Sequence, residues 1–152
     1  MKREEVSPEA RYSYLLSEID GAYHVASLKC GVSDSVMWIL YAICLFGDRC
    51  PLSEIIRLSG ISKQTINSAL RKLEQEGSVY LETDGRRRKT VCLTEKGKQL
   101  AKASAMRVMA MENRIFRSWT PEEQKLFFEL MVRFLADFQS QLKELDGGAP
   151  SP

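Results

Sequence analysis

Two short helical patterns separated by a glycine are the feature that most restricts the fold. They lie in LSEIIRLSGISKQTINSALRKLEQEG, residues 52–77. The first helix is expected to begin at Ser53 and to end before Gly60, where the pattern is interrupted. Ser62 can cap a second helix that runs to about Gln75. Two short helices joined by a tight, glycine-containing turn predict a helix-turn-helix.

The second helix of this pair has two chemically different faces. Its apolar residues follow the i, i+3, i+4, i+7 rule and are expected to face the core: Ile66, Ala69, Leu70 and Leu73. A merely solvated opposite face would more often carry paired Glu and Lys, yet no acid occurs before Glu74. Amides, hydroxyls and basic groups there can bind base edges in a major groove. The candidate DNA-binding residues are Ser62, Lys63, Gln64, Thr65, Asn67, Ser68 and Arg71.

A β-hairpin is predicted directly after the second helix. SVYLET (78–83) and KTVCLT (89–94) are typical strands, and Asp84-Gly85 is a turn signal between them. A hairpin in this position is a wing. The densest positive charge in the chain lies at its tip, in Arg86, Arg87, Arg88 and Lys89. Taken alone, such a run of cations is typical of a solvated turn. Beside a recognition helix, the same cations can reach phosphates or a minor groove.

The distribution of charge supports a polyanion-binding surface. The 152 residues carry a net charge of only +2. Between Arg57 and Lys98, however, there are ten cations and five anions, so the net charge of this segment is +5 and that of the rest of the chain is −3. Concentrated positive charge on a slightly acidic protein is typical of nucleic-acid binding.

Long helical patterns flank this region. Residues 9–28 predict a first helix with Ser7-Pro8 at its start, and the apolar stretch 33–46 predicts a buried central helix. The chain is expected to be helical again from Glu95, with a break at SWTP (118–121) before a last helix that ends near Leu145.

The terminal helices carry more apolar surface than a small winged domain needs. We expect them to form a homodimer, although packing on their own chain stays an alternative. The expected organisation is an N-terminal dimerisation helix at 1–32, a DNA-binding domain at 33–98, C-terminal dimerisation helices at 99–146 and a disordered tail at 147–152. The candidate dimerisation residues are Tyr12, Leu16, Phe127, Leu130, Phe134 and Phe138.

The order of elements and several strings resemble the MarR family of bacterial transcriptional regulators. The resemblance is strongest over residues 52–100, and the L-T-x-x-G in VCLTEKG after a basic wing is its most specific motif. It implies a mainly α protein with a small β-wing, a winged helix-turn-helix with N- and C-terminal dimerisation helices. It further implies a homodimer on a palindromic double-stranded DNA operator, and repression relieved by a small, often aromatic effector.

The wing departs from the family pattern D-x-x-D-R-R-x-x-x-V-x-L-T. Aligning the L-T places Glu82 and Gly85 at the acidic positions. Arg86 and Arg87 then match the arginine pair, and Asp84 is a candidate substitute for the missing acid. We expect a more basic and less rigid tip, with Arg87 the strongest candidate for insertion into a minor groove.

Other protein classes have little support. A single histidine, no nucleophile motif, no phosphate loop and no cluster of metal ligands leave no catalytic set, so we expect no enzyme, metal or cofactor. No apolar run reaches the ~20 residues of a membrane span, and the N-terminus has no hydrophobic signal region. A cytoplasmic protein without membrane contact is expected.

Two functional alternatives remain open. The four cysteines lack C-x-x-C spacing, which favours reduced thiols, but Cys30 and Cys50 are candidates for a redox sensor that controls DNA binding. Cys44 is expected in the core and Cys92 on a wing strand. The second alternative is a winged helix whose basic face binds an acidic protein partner.

Overall fold

The computed structural model describes residues 6–146, so the tail predicted at 147–152 lies outside the described residues. The described part is mainly α-helical with a small antiparallel sheet, as predicted. Its elements are α1 (Pro8–Lys29), α2 (Asp34–Leu45), β1 (Arg49–Pro51), α3 (Leu52–Ser59), α4 (Lys63–Gln75), β2 (Val79–Thr83), β3 (Lys89–Leu93), α5 (Glu95–Ala103), α6 (Ala105–Arg117) and α7 (Pro121–Leu145).

Side-chain caps fix most of the helix starts that the sequence predicts. The hydroxyls of Ser7, Ser33 and Ser62 accept hydrogen bonds from backbone N–H groups in the first turns of α1, α2 and α4. Thr120 and Glu123 form a reciprocal capping box at α7. α3 has no side-chain cap and begins at Leu52, one residue before the predicted start.

The core around the helix-turn-helix is centred on α2. Its Ile39, Leu40 and Ile43 are fully buried, as are Ile55 of α3 and Ile66 of α4. Leu70 and Leu73 are buried on the same side of α4 and Ala69 packs against the core, which confirms the predicted apolar face. The polar face of α4 is therefore directed away from the core.

The sheet contains one strand that the sequence analysis missed. β3 lies between β1 and β2, and both pairings are antiparallel. β1 has only three residues and ends in Pro51, so neither alternation nor strand-forming composition marks it. Proline is tolerated there because β1 is an edge strand.

The L-T-x-x-G motif joins the wing to α5. The Thr94 hydroxyl donates to the Gly77 carbonyl over 2.6 Å and accepts from the Gly97 N–H over 3.1 Å, so it caps α5 and ties it to the end of α4. A Cβ on Gly97 would lie 1.9 Å from the Ser78 carbonyl oxygen. Only glycine permits this approach of α5 to the backbone before β2.

The helical region after Glu95 is interrupted at a position that the sequence did not indicate. Ser104 has φ −134° and ψ −92°, which are not helical values, and it separates α5 from α6. Its side chain is fully buried and donates to the Leu100 carbonyl over 2.6 Å. Serine alone is a weak helix breaker, so this break depends on tertiary packing.

The chain divides into two compact units, Met1–Ala110 and Met111–Pro152. In the second unit, all 25 residues of α7 are described and none is buried. The rings of Phe116, Trp119, Phe127 and Phe128 contact one another, with centroids 5.1 to 6.1 Å apart. No single described helix is long and apolar enough to cross a membrane, and α1 and α2 meet that test only as a pair bent by 90°.

Candidate nucleic-acid interface

The outward face of α4 presents the predicted residues together. Ser62, Lys63, Gln64, Thr65, Ser68 and Arg71 are exposed, whereas Asn67 is half-buried. A shallow concavity of about 430 Å³ is lined by α4 alone, through Lys63, Gln64, Asn67, Ser68 and Arg71. The face predicted from periodicity is thus a continuous polar and basic surface.

The hydroxyl groups on this face already have partners within α4. The Ser62 hydroxyl caps the helix and donates to the Thr65 hydroxyl over 2.8 Å. The Ser68 hydroxyl donates to the Gln64 carbonyl over 3.0 Å. Ser62, Thr65 and Ser68 therefore contribute first to the stability of the helix.

The amide and arginine side chains on this face of α4 differ from the hydroxyls in having no hydrogen-bond partner among the described residues. Within residues 6–146, the side chains of Gln64, Asn67 and Arg71 make no hydrogen bond or ion pair. Asn and Gln amides can bind adenine through two hydrogen bonds, and Arg can bind guanine in the same manner. These three side chains are the ones available for base contacts.

The N-terminus of α4 favours an anion. Its first turn contains no acidic residue, and Lys63 is its first helical residue. Unpaired backbone N–H groups and the helix dipole make such an end partially positive. A phosphate placed there gains hydrogen bonds and charge neutralisation.

The wing tip is a five-residue loop organised by Asp84. The Asp84 N–H donates to the Arg88 carbonyl and the Arg87 N–H donates to the Asp84 carbonyl, each over 3.1 Å. Asp84 Oδ1 accepts from the N–H groups of Arg86 and Arg88, each over 2.9 Å. The predicted hairpin is confirmed, but the residue with positive φ is Arg87, at +62°, rather than Gly85.

A groove of about 810 Å³ separates the wing from α3 and α4. We call it the wing groove. Lys63 and Asn67 line it from α4, and Arg87, Arg88 and Lys89 line it from the wing. The fold thus brings together two sets of residues that lie about 20 positions apart in the sequence. Arg86 does not line this groove.

The polar residues of α3 that line the groove are Ser53 and Glu54, and the sequence analysis proposed neither as a binding residue. Nothing in the local pattern distinguishes them from ordinary first-turn residues. They reach the groove only because α3 lies beside the wing, so a signal could have come only from the tertiary structure.

The wing cations differ from other exposed cations in their pairing. Arg49 pairs with Glu82, so the acid at the family's first acidic position binds β1 rather than a wing arginine. Lys98 likewise pairs with Glu95 and Asp48. Within residues 6–146, Arg86, Arg87 and Lys89 form no ion pair, and Arg88 has only a longer-range attraction to Asp84.

All four cysteines are free thiols. Burial, together with Glu54, raises the pKa of Cys50 to about 11, and burial followed by Asp48 raises the pKa of Cys44. Cys44 is partly buried against the core, Cys92 is buried on β3, and Cys30 is partly exposed. A raised pKa lowers the thiolate fraction, which counts against Cys50 as a redox sensor.

Part of the sequence and most of the fold are similar to known proteins. The model of the MarR family matches residues 31–89. The structure of a MarR family transcriptional regulator from Silicibacter pomeroyi is similar, with 27% identity, a TM-score of 0.68, and coverage of 88% of this chain and 93% of that chain. Residues 31–89 thus match the MarR family model, and the chain is similar to this regulator over most of its length. None of the curated proteins matches this chain.

More distant structures share the MarR fold. The MepR–DNA complex from S. aureus has 19% identity and a TM-score of 0.61, over 88% of this chain and 99% of that chain. The PcaV transcriptional regulator from Streptomyces coelicolor, in complex with its natural ligand, has 19% identity and a TM-score of 0.61, over 87% and 96%. The chain therefore shares the winged helix-turn-helix fold of these structures along most of its length.

Proposed function

We propose that this protein binds double-stranded DNA sequence-specifically, with α4 in a major groove and the wing on the adjacent backbone and minor groove. The wing groove is the observation that carries this proposal. There, amide and basic side chains of α4 lie beside wing cations that have no ion pair in the described part of the chain. A duplex presents base edges to the first set and phosphates to the second.

The proposed molecule is a homodimer. α7 exposes Phe127, Leu130, Phe134 and Phe138, and α1 exposes Tyr12 and Leu16. Exposed apolar patches of this extent on a soluble domain are typical of interaction surfaces. A two-fold dimer presents two copies of α4 to a palindromic operator about one DNA turn apart.

The proposed regulation is repression in the cytoplasm, relieved by a small, often aromatic effector. The support comes from relatives, since PcaV has been solved with its natural ligand. An effector of this kind acts by favouring a dimer conformation in which the two α4 helices no longer match successive major grooves.

The experiment that tests DNA binding is a salt titration on duplex DNA from upstream of the gene. Each phosphate neutralised by Lys or Arg releases about one counterion, so the logarithm of the affinity is expected to fall linearly and steeply with the logarithm of the salt concentration. An unrelated duplex of equal length is the control for sequence preference. Absence of any complex at low salt would contradict the proposal and favour the acidic protein partner.

A further inference from the structure

The wing tip contains an arginine in a conformation that arginine seldom adopts. Arg87 has φ +62°, a left-handed value that favours glycine, asparagine or aspartate. Gly85, two residues earlier, does not take a positive φ, and a Cβ there would meet nothing within 4 Å. The left-handed backbone conformation in this loop is therefore adopted by an arginine and not by the glycine.

Asp84 supplies the hydrogen bonds that hold this conformation. Its carboxylate oxygen accepts from the N–H groups on both sides of Arg87, those of Arg86 and Arg88. Its own backbone carbonyl accepts from the Arg87 N–H. Three consecutive N–H groups therefore point toward one residue, which fixes the direction in which the Arg87 side chain leaves the loop.

We propose that Asp84 is a positioning residue for DNA binding, which holds Arg87 in the left-handed conformation and so directs its side chain to the wing groove. This inference rests on the proposed function. It assigns the carboxylate a role through the backbone, not through an ion pair with a guanidinium. Asp84 also lines the wing groove beside Arg87, Arg88 and Lys89.

The negative charge of Asp84 alone would have the opposite effect on DNA binding. Hydrogen bonds from the Arg88 and Arg86 N–H groups lower the pKa of Asp84, so its carboxyl is ionised at neutral pH. An exposed negative charge in a basic groove repels phosphate. Removal of Asp84 should then strengthen DNA binding if only charge matters, and weaken it if positioning matters.

The test compares Asp84→Ala, Asp84→Asn and Glu74→Ala in duplex binding at fixed salt. Glu74 is an exposed acid on α4 and provides a matched loss of negative charge. We expect Asp84→Ala to weaken binding at least about fivefold. Asp84→Asn keeps an acceptor oxygen and should bind within about twofold of the wild type. Glu74→Ala should bind equally or more tightly.

A double-mutant cycle decides whether Asp84 acts through Arg87. If it does, Arg87→Ala weakens binding much less in the Asp84→Ala protein than in the wild type. Additive losses would overturn the proposal, and so would an Asp84→Ala protein that binds as tightly as Glu74→Ala.

Amide hydrogen exchange in the free protein gives a result that does not depend on DNA. In Asp84→Ala the Arg86 and Arg88 amides should exchange at least about tenfold faster, whereas the Val91 amide on β3 should keep its rate. Unchanged exchange at Arg86 and Arg88 would overturn the positioning role. A wild-type protein that binds no duplex would instead contradict the proposed function and leave the exchange result to decide on Asp84.

Discussion

Single residues of the interface differ in what they can gain from a ligand. Ser62 and Ser68 already hydrogen-bond within α4, so a DNA contact would only add to bonds that exist. Gln64, Asn67 and Arg71 have no such partners in the described part of the chain. Base contacts therefore cost these three side chains no existing bond, and they are the residues on which sequence preference should depend.

Cys50 should be the least reactive of the candidate sensor thiols. It is fully buried and its pKa is about 11, so roughly one molecule in a thousand carries the thiolate at pH 8. In native protein treated with iodoacetamide at pH 8, we expect Cys30 to be modified well before Cys50, as measured by peptide mass spectrometry. A denatured sample is the control, and equal native rates at both thiols would contradict this account.

The same shift has a consequence for stability at high pH. The pKa of Cys50 is raised above its ordinary value of 9.0 because the folded protein disfavours the thiolate. The unfolded chain loses the proton first, so this stabilisation is complete below pH 9 and is lost as the pH rises toward 11. Cys50→Ser should reduce the slope of the free energy of unfolding over that window.

At the scale of elements, Gly97 determines how α5 meets the wing. A methyl group there would overlap the Ser78 carbonyl, so Gly97→Ala is expected to destabilise the protein by about 1–3 kcal/mol. Gly21 lies inside α1 with open space around it, and Gly21→Ala should stabilise by up to about 1 kcal/mol. Urea unfolding of both variants measures the difference, and equal effects would contradict the role of Gly97.

The elements that the sequence predicted are those with strong local signals. α1, α2, α4 and α7 have hydroxyl caps and helical spacing, and the wing strands alternate. β1 and the break at Ser104 lack local signals, because a three-residue edge strand and a buried serine are fixed by tertiary packing.

The candidate site was predictable for a related reason. The helical spacing of apolar residues shows which positions of α4 are exposed, and the run of cations marks the wing tip. The α4 residues and the wing cations could therefore be selected from the sequence. The left-handed conformation of Arg87 could not be predicted, because glycine two positions away is the usual choice for such a conformation. The contribution of Asp84 depends on the loop geometry, which the Asp-Gly turn signal does not specify.

At the scale of the whole molecule, the exposed stripe on α7 should determine the oligomeric state. Leu130→Glu places a charge within that stripe, where burial would cost several kcal/mol, and is expected to yield monomers of about 17.3 kDa in light scattering. Ser140→Glu on the opposite side of α7 is the matched control and should leave a dimer. A wild-type protein that is monomeric at micromolar concentration would contradict the dimer.

α4 and the wing are proposed to bind one duplex together, in a major groove and beside it. Chemical footprinting of the upstream DNA tests this most directly. Dimethyl sulfate reports guanine N7 in the major groove, and hydroxyl radicals report the backbone from the minor-groove side. We expect Arg71→Ala to lose protection from dimethyl sulfate, and Arg87→Ala to lose protection from hydroxyl radicals beside it. A duplex left unprotected by the wild type, or protection that neither variant changes, would contradict the account.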